Sequence, residues 1–259
     1  MKSRAPLALA SLAVVVLAGL RGESCSVAPQ GAEPEYATPV AAWEALVAGN
    51  ARWVAGKPTR PNATPKRCAE TAAKGQKPFA TVLACSDSRV PVEMLFDRGV
   101  GDVFTIRVAG NVADTDEIGS IEYGVDHLGT PVLVVLGHTG CGAVTAVCQH
   151  AELHGSIPEL VAEIGPVVAA ERERLVGEIE PARFVERCVE ANVFAAIASV
   201  LERSPAVRAR VKAGTTRVIG AVYDLATGVV RQLGEHPEQQ ALLERPTKVP
   251  PHASPARGH

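Results

Sequence analysis

Short runs of apolar residues alternate with amphipathic segments through the middle of this 259-residue chain. FATVLAC at 79–85 and PVLVVLG at 131–137 are continuously apolar, and DVFTIRV at 102–108 lies between them. A continuous apolar run of this length, rich in β-branched side chains, is typical of a strand that is buried on both faces. The first and last of these runs therefore predict buried strands, and the run at 102–108 predicts a further strand between them in the chain.

Apolar residues recur at helical spacing between these strands. The clearest helix is predicted at 114–129, where Asp114 can cap the first turn, Glu117 follows three residues later and Gly129 ends the helix. Further helices are expected at 90–97, from about 142 to 150, at 157–176 and at 182–204. Strands that alternate with helices predict a mostly parallel sheet.

The two ends of this pattern add a helix and a hairpin. Residues 38–57 predict an amphipathic helix that begins at Thr38 and Pro39, and we expect it to lie as an arm across a neighbouring subunit. Residues 217–234 predict a strand pair with a tight turn. The expected fold class is thus α/β: a mostly parallel central sheet with an antiparallel edge strand, flanked by helices and preceded by an N-terminal arm helix.

The chain begins with a pattern typical of exported proteins. Lys2 and Arg4 precede an apolar run at 5–20, which is shorter than the about 20 residues of a membrane span. We therefore expect an exported protein, periplasmic or secreted, that contacts a membrane only if Cys25 carries a lipid anchor. The expected segments are a signal peptide at 1–28, a linker at 29–37, the folded domain at 38–236 and a disordered tail at 237–259.

Composition changes this picture little. The formal net charge of −2 gives no electrostatic reason to expect a nucleic-acid partner. Aromatic residues make up only 4% of the chain, so the core must consist of Val, Leu, Ile and Ala. Of the six cysteines, Cys148 and Cys188 lie in apolar helical patterns and are expected to be small buried residues. Whether Cys68, Cys148 or Cys188 forms a disulfide stays open.

Soft metal ligands lie at the ends of two predicted strands. Cys85 ends the first apolar run, and His138 and Cys141 follow the third. The carboxyl ends of parallel strands form the edge at which such sheets bind ligands. Thiolate and imidazole are preferred zinc ligands, and three protein ligands are typical of catalytic zinc, whereas structural zinc takes four. The sequence therefore predicts one zinc ion per subunit.

Asp87 has two possible partners in this site. Its carboxylate can become a fourth zinc ligand and close the site, or it can pair with Arg89, two residues further on. Either short motif alone is a weak signal, since C-x-D-x-R also occurs in solvated turns and two exported cysteines can form a disulfide. Both motifs together, each at the end of a strand, favour a working metal site.

The motifs ACSDSRVP at 84–91 and GHTGCGAV at 137–144 resemble those of the β-class carbonic anhydrases. GQKPF, FTIRVAGNVA and SIEYGVDHLG extend the likeness from about Pro39 to Gly234. The resemblance implies that Cys85, His138 and Cys141 bind zinc. It also implies reversible hydration of carbon dioxide to bicarbonate and a proton, by attack of zinc hydroxide.

The same resemblance implies roles for residues around the metal. Asp87, held by Arg89, would accept the proton of the hydroxide and would bind zinc itself only in a closed state. A homodimer or a dimer of dimers is implied, in which a glutamine reaches the neighbouring subunit's pocket. The residues implied to contact substrate are Gln76, Phe104, Ala109, Tyr123 and Gly142. The sequence pattern alone favours packing roles for the two aromatic residues.

A closed state in bacterial relatives is associated with bicarbonate in a second pocket, which needs a tryptophan three residues before the first zinc-binding cysteine. Val82 occupies that place here and offers no N–H donor. We therefore expect Asp87 to bind Arg89 near neutral pH and to reach zinc only in acid. We expect Arg107, on the neighbouring strand, to bind backbone or an acidic side chain rather than an anion.

Other functions stay open at this point. A carbon disulfide-type hydrolase can use the same ligands on the same scaffold. A non-catalytic zinc or thiol protein would have reactive Cys85 and Cys141 and no use for an Asp–Arg pair. A nucleotide site is disfavoured, because GHTGCGAV contains neither G-x-G-x-x-G nor a P-loop lysine.

Overall fold

A computed structural model describes residues 36–248 of the chain. Within them, five strands form one sheet in the order β2-β1-β3-β4-β5. The strands are β1 Ala80–Ala84, β2 Val103–Arg107, β3 Val132–His138, β4 Arg217–Tyr223 and β5 Val230–Gly234. The first four strands are parallel and β5 runs antiparallel to β4. This arrangement confirms the predicted fold class.

Ten α-helices flank the sheet in the described part of the chain. They are α1 Pro39–Val54, α2 Pro65–Lys74, α3 Val92–Leu95, α4 Thr115–Glu122, α5 Gly142–Cys148, α6 Ile157–Leu160, α7 Ile164–Glu173, α8 Pro181–Arg203, α9 Pro205–Lys212 and α10 Gln239–Glu244. A single 3₁₀ turn, Ala109–Asn111, follows β2, and a π-helical turn, Tyr123–His127, follows α4.

The sheet is buried between two apolar layers. Along β1, Leu83 faces the layer formed with α4, α5, α7 and α8, whereas Val82 and Ala84 face the layer formed with α1 and α3. Every residue of β1 and of β3 is buried. Burial on both faces explains why these strands are continuously apolar in the sequence.

Two predicted helices differ from their expected form. The helix expected at 114–129 changes to the π-helical turn after Glu122, where a Cβ on Gly124 would lie 2.3 Å from Thr81 Oγ1. The helix expected at 157–176 is divided into α6 and α7. Pro166 is the third residue of α7, and proline is tolerated only in the first turn of a helix, so the earlier helix has to end before it.

Helix α1 is the predicted N-terminal helix, and its placement as an arm across a neighbouring subunit stays a prediction. The helix packs on its own chain's sheet through the buried residues Ala42, Trp43 and Leu46. Trp43 Nε1 donates to the side chain of Gln232 on β5 at 2.9 Å, and Asn50 Nδ2 donates to backbone carbonyls on two other segments. One side of α1 is therefore covered within one subunit, while Val40, Val47 and Val54 of the same helix are 51%, 47% and 44% exposed.

The expected disordered tail is also wrong for its first part. Helix α10 lies within it, with Leu242 and Leu243 buried in the core. The buried guanidinium of Arg208 on α9 donates to the carbonyls of Leu242, Leu243 and Arg245, at 3.1, 2.6 and 2.5 Å. Two leucines and one buried arginine thus fix a segment whose polar composition suggested disorder.

The remaining terminal predictions lie outside the described residues. These are the signal peptide at 1–28, most of the linker and the tail from 249 onward. Between residues 36 and 248, no helix has the length and apolar character needed to cross a bilayer.

Candidate metal centre

Three potential metal ligands meet at the carboxyl edge of the sheet. Cys85 directly follows β1, His138 is the last residue of β3, and Cys141 is the residue that precedes α5. Strands β1 and β3 are parallel neighbours, with Ala84 beside Leu136. The two sulfurs and an imidazole nitrogen lie within 4.8 Å of one another, and all three residues are buried. The structure thus brings together the three residues that the sequence predicted.

The imidazole of His138 is oriented for metal binding. Its Nδ1 lies 3.0 Å from the carbonyl oxygen of Thr139, and a carbonyl can only accept, so Nδ1 carries the hydrogen. Nε2 then bears the lone pair. This atom is buried and has no hydrogen-bond partner among the described residues. An unpaired buried polar group costs about 1–3 kcal/mol, so a bound cation fits the position.

The two thiols influence each other's protonation. The hydrogen bond from Cys141 lowers the pKa of Cys85, against the opposing effect of burial, and His138 and the Gly110 amide lower it further. The same contact and burial raise the pKa of Cys141. Two thiolates side by side repel each other, whereas a divalent cation between them stabilises both. The donor set therefore fits a metal ion such as zinc.

Asp87 lies beside this centre and is held by Arg89. Asp87 Oδ1 accepts from the Arg89 backbone N–H and from Nε, both at 2.9 Å, and Oδ2 accepts from Nη2 at 2.7 Å. The hydrogen bond with Arg89 holds the pKa of the Asp87 carboxyl well below its usual range. Oδ2 lies 3.9 Å from His138 Nε2. An ionised carboxylate is thus fixed next to the three ligands but engaged by the guanidinium.

Arg107 holds the backbone around Cys85, and Gly110 and Asn192 are linked by hydrogen bonds to its sulfur. Arg107 donates through Nε to the Cys85 carbonyl at 3.1 Å and through Nη2 to the Asp87 carbonyl at 2.6 Å. This confirms that Arg107 binds backbone. The Gly110 N–H donates to Cys85 Sγ at 3.3 Å, and Asn192 Nδ2 donates to the Gly110 carbonyl at 2.7 Å.

Sequence reasoning missed Gly110 and Asn192. One signal for Asn192 was present, because it lies between Val189 and Val193 on the apolar face of α8, where a polar residue needs a partner. The glycine of VAGN gave no sign of which atom its N–H would reach.

The proposed pocket residues divide into two groups. Gly142 is the exposed first residue of α5, next to Cys141, and Ala109 begins the turn that contains Gly110. Both therefore lie near the metal ligands in the chain.

Phe104, Tyr123 and Gln76 do not lie near the metal ligands of their own chain. Phe104 is paired with Thr81, four residues or about 13 Å before Cys85 along β1, and its ring lies 5.7 Å from that of Tyr123. Gln76 is exposed and precedes β1, at the amino end of the strand. A single subunit therefore does not bring these three residues to its own metal centre.

The other three cysteines of residues 36–248 do not contribute to this centre. Cys148 and Cys188 are buried in the core, as predicted, and Cys68 is exposed on α2. All three are free thiols in the structure.

Comparisons with known proteins agree with this geometry. The sequence model of the carbonic anhydrase family matches residues 80–230. Carbonic anhydrase 2 of Mycobacterium tuberculosis is 40% identical over 195 residues, which cover 73% of this chain and 90% of the relative. A carbonic anhydrase of Mycolicibacterium smegmatis is 40% identical over 197 residues, covering 74% and 92% of the two chains. The chain therefore belongs to the carbonic anhydrase family.

Solved structures define the class within that family. A tetrameric β-carbonic anhydrase of Sordaria macrospora superposes with a TM-score of 0.61 at 27% identity, over 74% of this chain and 96% of the other. A β-carbonic anhydrase of Aspergillus fumigatus gives a TM-score of 0.60 at 30% identity, over 78% and 96%. The fold is thus that of the β class.

Proposed function

We propose that this protein catalyses the reversible hydration of carbon dioxide to bicarbonate and a proton, with one zinc ion per subunit held by Cys85, His138 and Cys141. The observation that carries the proposal is the buried Nε2 of His138, which has no partner in the described part of the chain and faces two thiols. Three protein ligands are the number typical of a catalytic zinc site.

The bound metal would supply the nucleophile. Zinc in such a site lowers the pKa of a water molecule from about 15.7 to about 7, so that hydroxide is available at neutral pH. The chain's own residues then have to orient that nucleophile, receive the substrate and exclude competing ligands.

Asp87 would orient the nucleophile. Its depressed pKa keeps the carboxylate ionised, so Oδ2 can accept a hydrogen bond from the attacking oxygen and turn a lone pair toward carbon dioxide. The two side-chain hydrogen bonds from Arg89 fix the carboxylate for this task. The same contact supports the open arrangement near neutral pH, and Asp87 would bind zinc only in a closed state in acid.

The substrate pocket is proposed to form between two subunits. Ala109 and the Gly142 amide would belong to the subunit that holds the metal, whereas Gln76, Phe104 and Tyr123 would come from its partner. The position of these last three residues, away from their own chain's metal ligands, supports this division. A small, uncharged substrate such as carbon dioxide suits a pocket with aromatic walls.

The free edge of β2 would form part of this interface. It is the outer strand of the sheet, so no strand of residues 36–248 pairs with its free side, and Tyr123 next to it is 44% exposed. An exposed strand edge with apolar neighbours favours association with another chain. We propose a homodimer or a dimer of dimers, which agrees with the tetrameric state of the Sordaria macrospora relatives.

We also propose that the protein is exported. This proposal depends on the sequence of residues 1–28 alone, in which basic residues precede an apolar run. Fractionation of cells that express the full chain, followed by mass spectrometry of the mature N-terminus, tests it. An intact Met1 on cytoplasmic protein would contradict it.

Zinc content and stopped-flow carbon dioxide hydration, measured on one purified sample, test the function. We expect about one zinc per subunit and clear catalysis, because three protein ligands hold one ion. Cys141→Ser should lose zinc and activity together. Cys148→Ser, at the far end of the same helix, is the matched control and should keep both.

Two results would contradict the proposal. A zinc-loaded protein that does not hydrate carbon dioxide would favour a carbon disulfide-type hydrolase or a non-catalytic zinc protein. Full zinc occupancy in Cys141→Ser would show that the ligand assignment is wrong.

A further inference from the structure

We infer that Asn192 on α8 is a positioning residue for the zinc-binding thiolate of Cys85, acting through Gly110. The inference rests on the proposed zinc site and adds a residue that does not itself contact the metal ligands. Asn192 is 3% exposed, and the hydrogen bond from its Nδ2 to the Gly110 carbonyl is 2.7 Å long. At the other end of the same glycine, the N–H donates to Cys85 Sγ.

The turn requires glycine at residue 110. Its φ of 77° lies in the left-handed region, and a Cβ there would lie 2.8 Å from Ile164 Cδ1 and 3.2 Å from Ala143 Cβ. Glycine is also the residue with the greatest freedom of rotation, since it has no side chain that packing can hold. Its N–H therefore stays directed at the sulfur only if another group fixes its backbone.

Asn192 supplies such a restraint, beside the turn's own hydrogen bond from the Asn111 N–H to the Val108 carbonyl at 3.1 Å. Asn192 holds the glycine by its carbonyl oxygen and is itself carried by a helix of 23 residues that packs across the sheet. The neighbours of Asn192 on this face are apolar, among them Val189 and Val193. A buried amide there is unfavourable unless it is hydrogen-bonded, and its bond to Gly110 compensates for the loss of water.

An N–H···S hydrogen bond has a chemical consequence for a metal centre. It withdraws charge from the thiolate, so the sulfur donates less to the metal and the metal becomes a stronger acid. Groups that hydrogen-bond to a metal ligand also fix the orientation of that ligand. Their removal typically weakens metal affinity about 10- to 100-fold. Loss of Asn192 should therefore lower metal affinity and move the pH–rate profile to higher pH.

A second hydrogen bond from α8 provides a control for the alternative that Asn192 only holds the helix to the neighbouring loop. Ser199 Oγ donates to the carbonyl of Ala113 at 2.8 Å, so it also ties α8 to the loop after β2. That carbonyl lies three residues beyond Gly110 in the chain. Ser199→Ala removes a side-chain-to-backbone bond of the same kind without touching the glycine that contacts Cys85.

The test compares Asn192→Leu with Ser199→Ala in the full chain. Leucine keeps the branching and the number of side-chain heavy atoms of asparagine and removes the donor. In cobalt-substituted protein, we expect Asn192→Leu to shift the sulfur-to-cobalt charge-transfer band to longer wavelength, because the sulfur carries more charge. Chelator competition should show zinc affinity about 10- to 100-fold weaker, and the acid limb of the pH–rate profile should move upward. Ser199→Ala should match the parent in all three measurements.

A second variant covers the case in which Asn192→Leu does not fold, as judged by circular dichroism. In Asn192→Ser the side chain is too short to reach Gly110, but its hydroxyl can bind a water molecule in the space left by asparagine. The same three shifts are expected. If the folded variants at residue 192 show the same band position, zinc affinity and pH–rate profile as Ser199→Ala, this inference is wrong and the proposed metal site is unaffected. A parent protein that takes up neither zinc nor cobalt would overturn the proposed metal site and this inference with it.

Discussion

The contacts of Asp97 predict how the free energy of unfolding depends on pH. Asp97 lies in the turn after α3, and its side chain is fully buried. Oδ2 accepts from Arg52 Nε at 2.6 Å and from the backbone N–H of Thr59 at 2.9 Å, and Oδ1 accepts from the backbone N–H of Arg60 at 2.7 Å. One carboxylate thus ties α1 and the loop after it to the turn before β2.

These contacts set the size of the effect. Burial by itself raises the pKa of Asp97, but the hydrogen bonds from Thr59, Arg52 and Arg60 outweigh it and lower the pKa from 3.8 to about 2. Since one pKa unit corresponds to about 1.36 kcal/mol, the ionised carboxylate contributes about 2 kcal/mol to folding at neutral pH. The folded pKa is the lower one, so this contribution is present above about pH 4 and is lost as the pH falls toward 2.

Asp97→Asn removes this contribution and also presents N–H groups to donors. We expect a loss of at least about 2 kcal/mol at pH 7, or a Tm lower by about 4–8 °C, and a loss smaller by about 1.5 kcal/mol near pH 2.5. Urea unfolding of parent and variant at both pH values measures it. Asp116→Asn, at an exposed position in the first turn of α4, is the control and should cost less than about 1 kcal/mol at either pH. An equal loss for Asp97→Asn at pH 7 and pH 2.5 would refute the assigned role of the charge.

Four further predictions concern the site and the assembly. Asp87→Asn should keep zinc but lose roughly 100-fold or more in hydration rate, because it removes the acceptor and leaves three ligands; turnover at the parent rate would show that the carboxylate is not catalytic. Arg107→Lys should slow hydration about tenfold, because one ammonium does not replace a guanidinium that binds two carbonyls; an unchanged rate would contradict this. Analytical ultracentrifugation should find a dimer or larger, with Gln76→Ala lowering activity but not assembly, and an active monomer would contradict the shared pocket. Arg208→Leu should leave three carbonyls of the α10 segment unpaired, so limited proteolysis should cut the chain after about residue 236; resistance equal to the parent would oppose this role.

The sequence determined the metal ligands because side chains that bind zinc lie directly at the ends of strands that can be recognised from the sequence. Cys85 and His138 each follow a run that is apolar on both faces, and such runs are parallel strands whose carboxyl ends meet at one edge. The fold class followed from the same alternation of strands and helices. Two helices that the sequence analysis omitted also had local signals: Thr64 and Pro65 begin α2, and Ser204 and Pro205 begin α9. Both lie in polar segments without an extended apolar stripe.

Only the tertiary structure decided which partners the isolated polar groups find. Asp87 can reach either the metal or Arg89, and no spacing rule chooses between them. Asn192 lies 82 residues from Gly110, and Arg208 lies 34 residues from Leu242. Helix and strand periodicity reflects regular burial along one segment. A hydrogen bond from one side chain to a distant backbone carbonyl leaves no such period, because it depends on how two segments pack after each has formed.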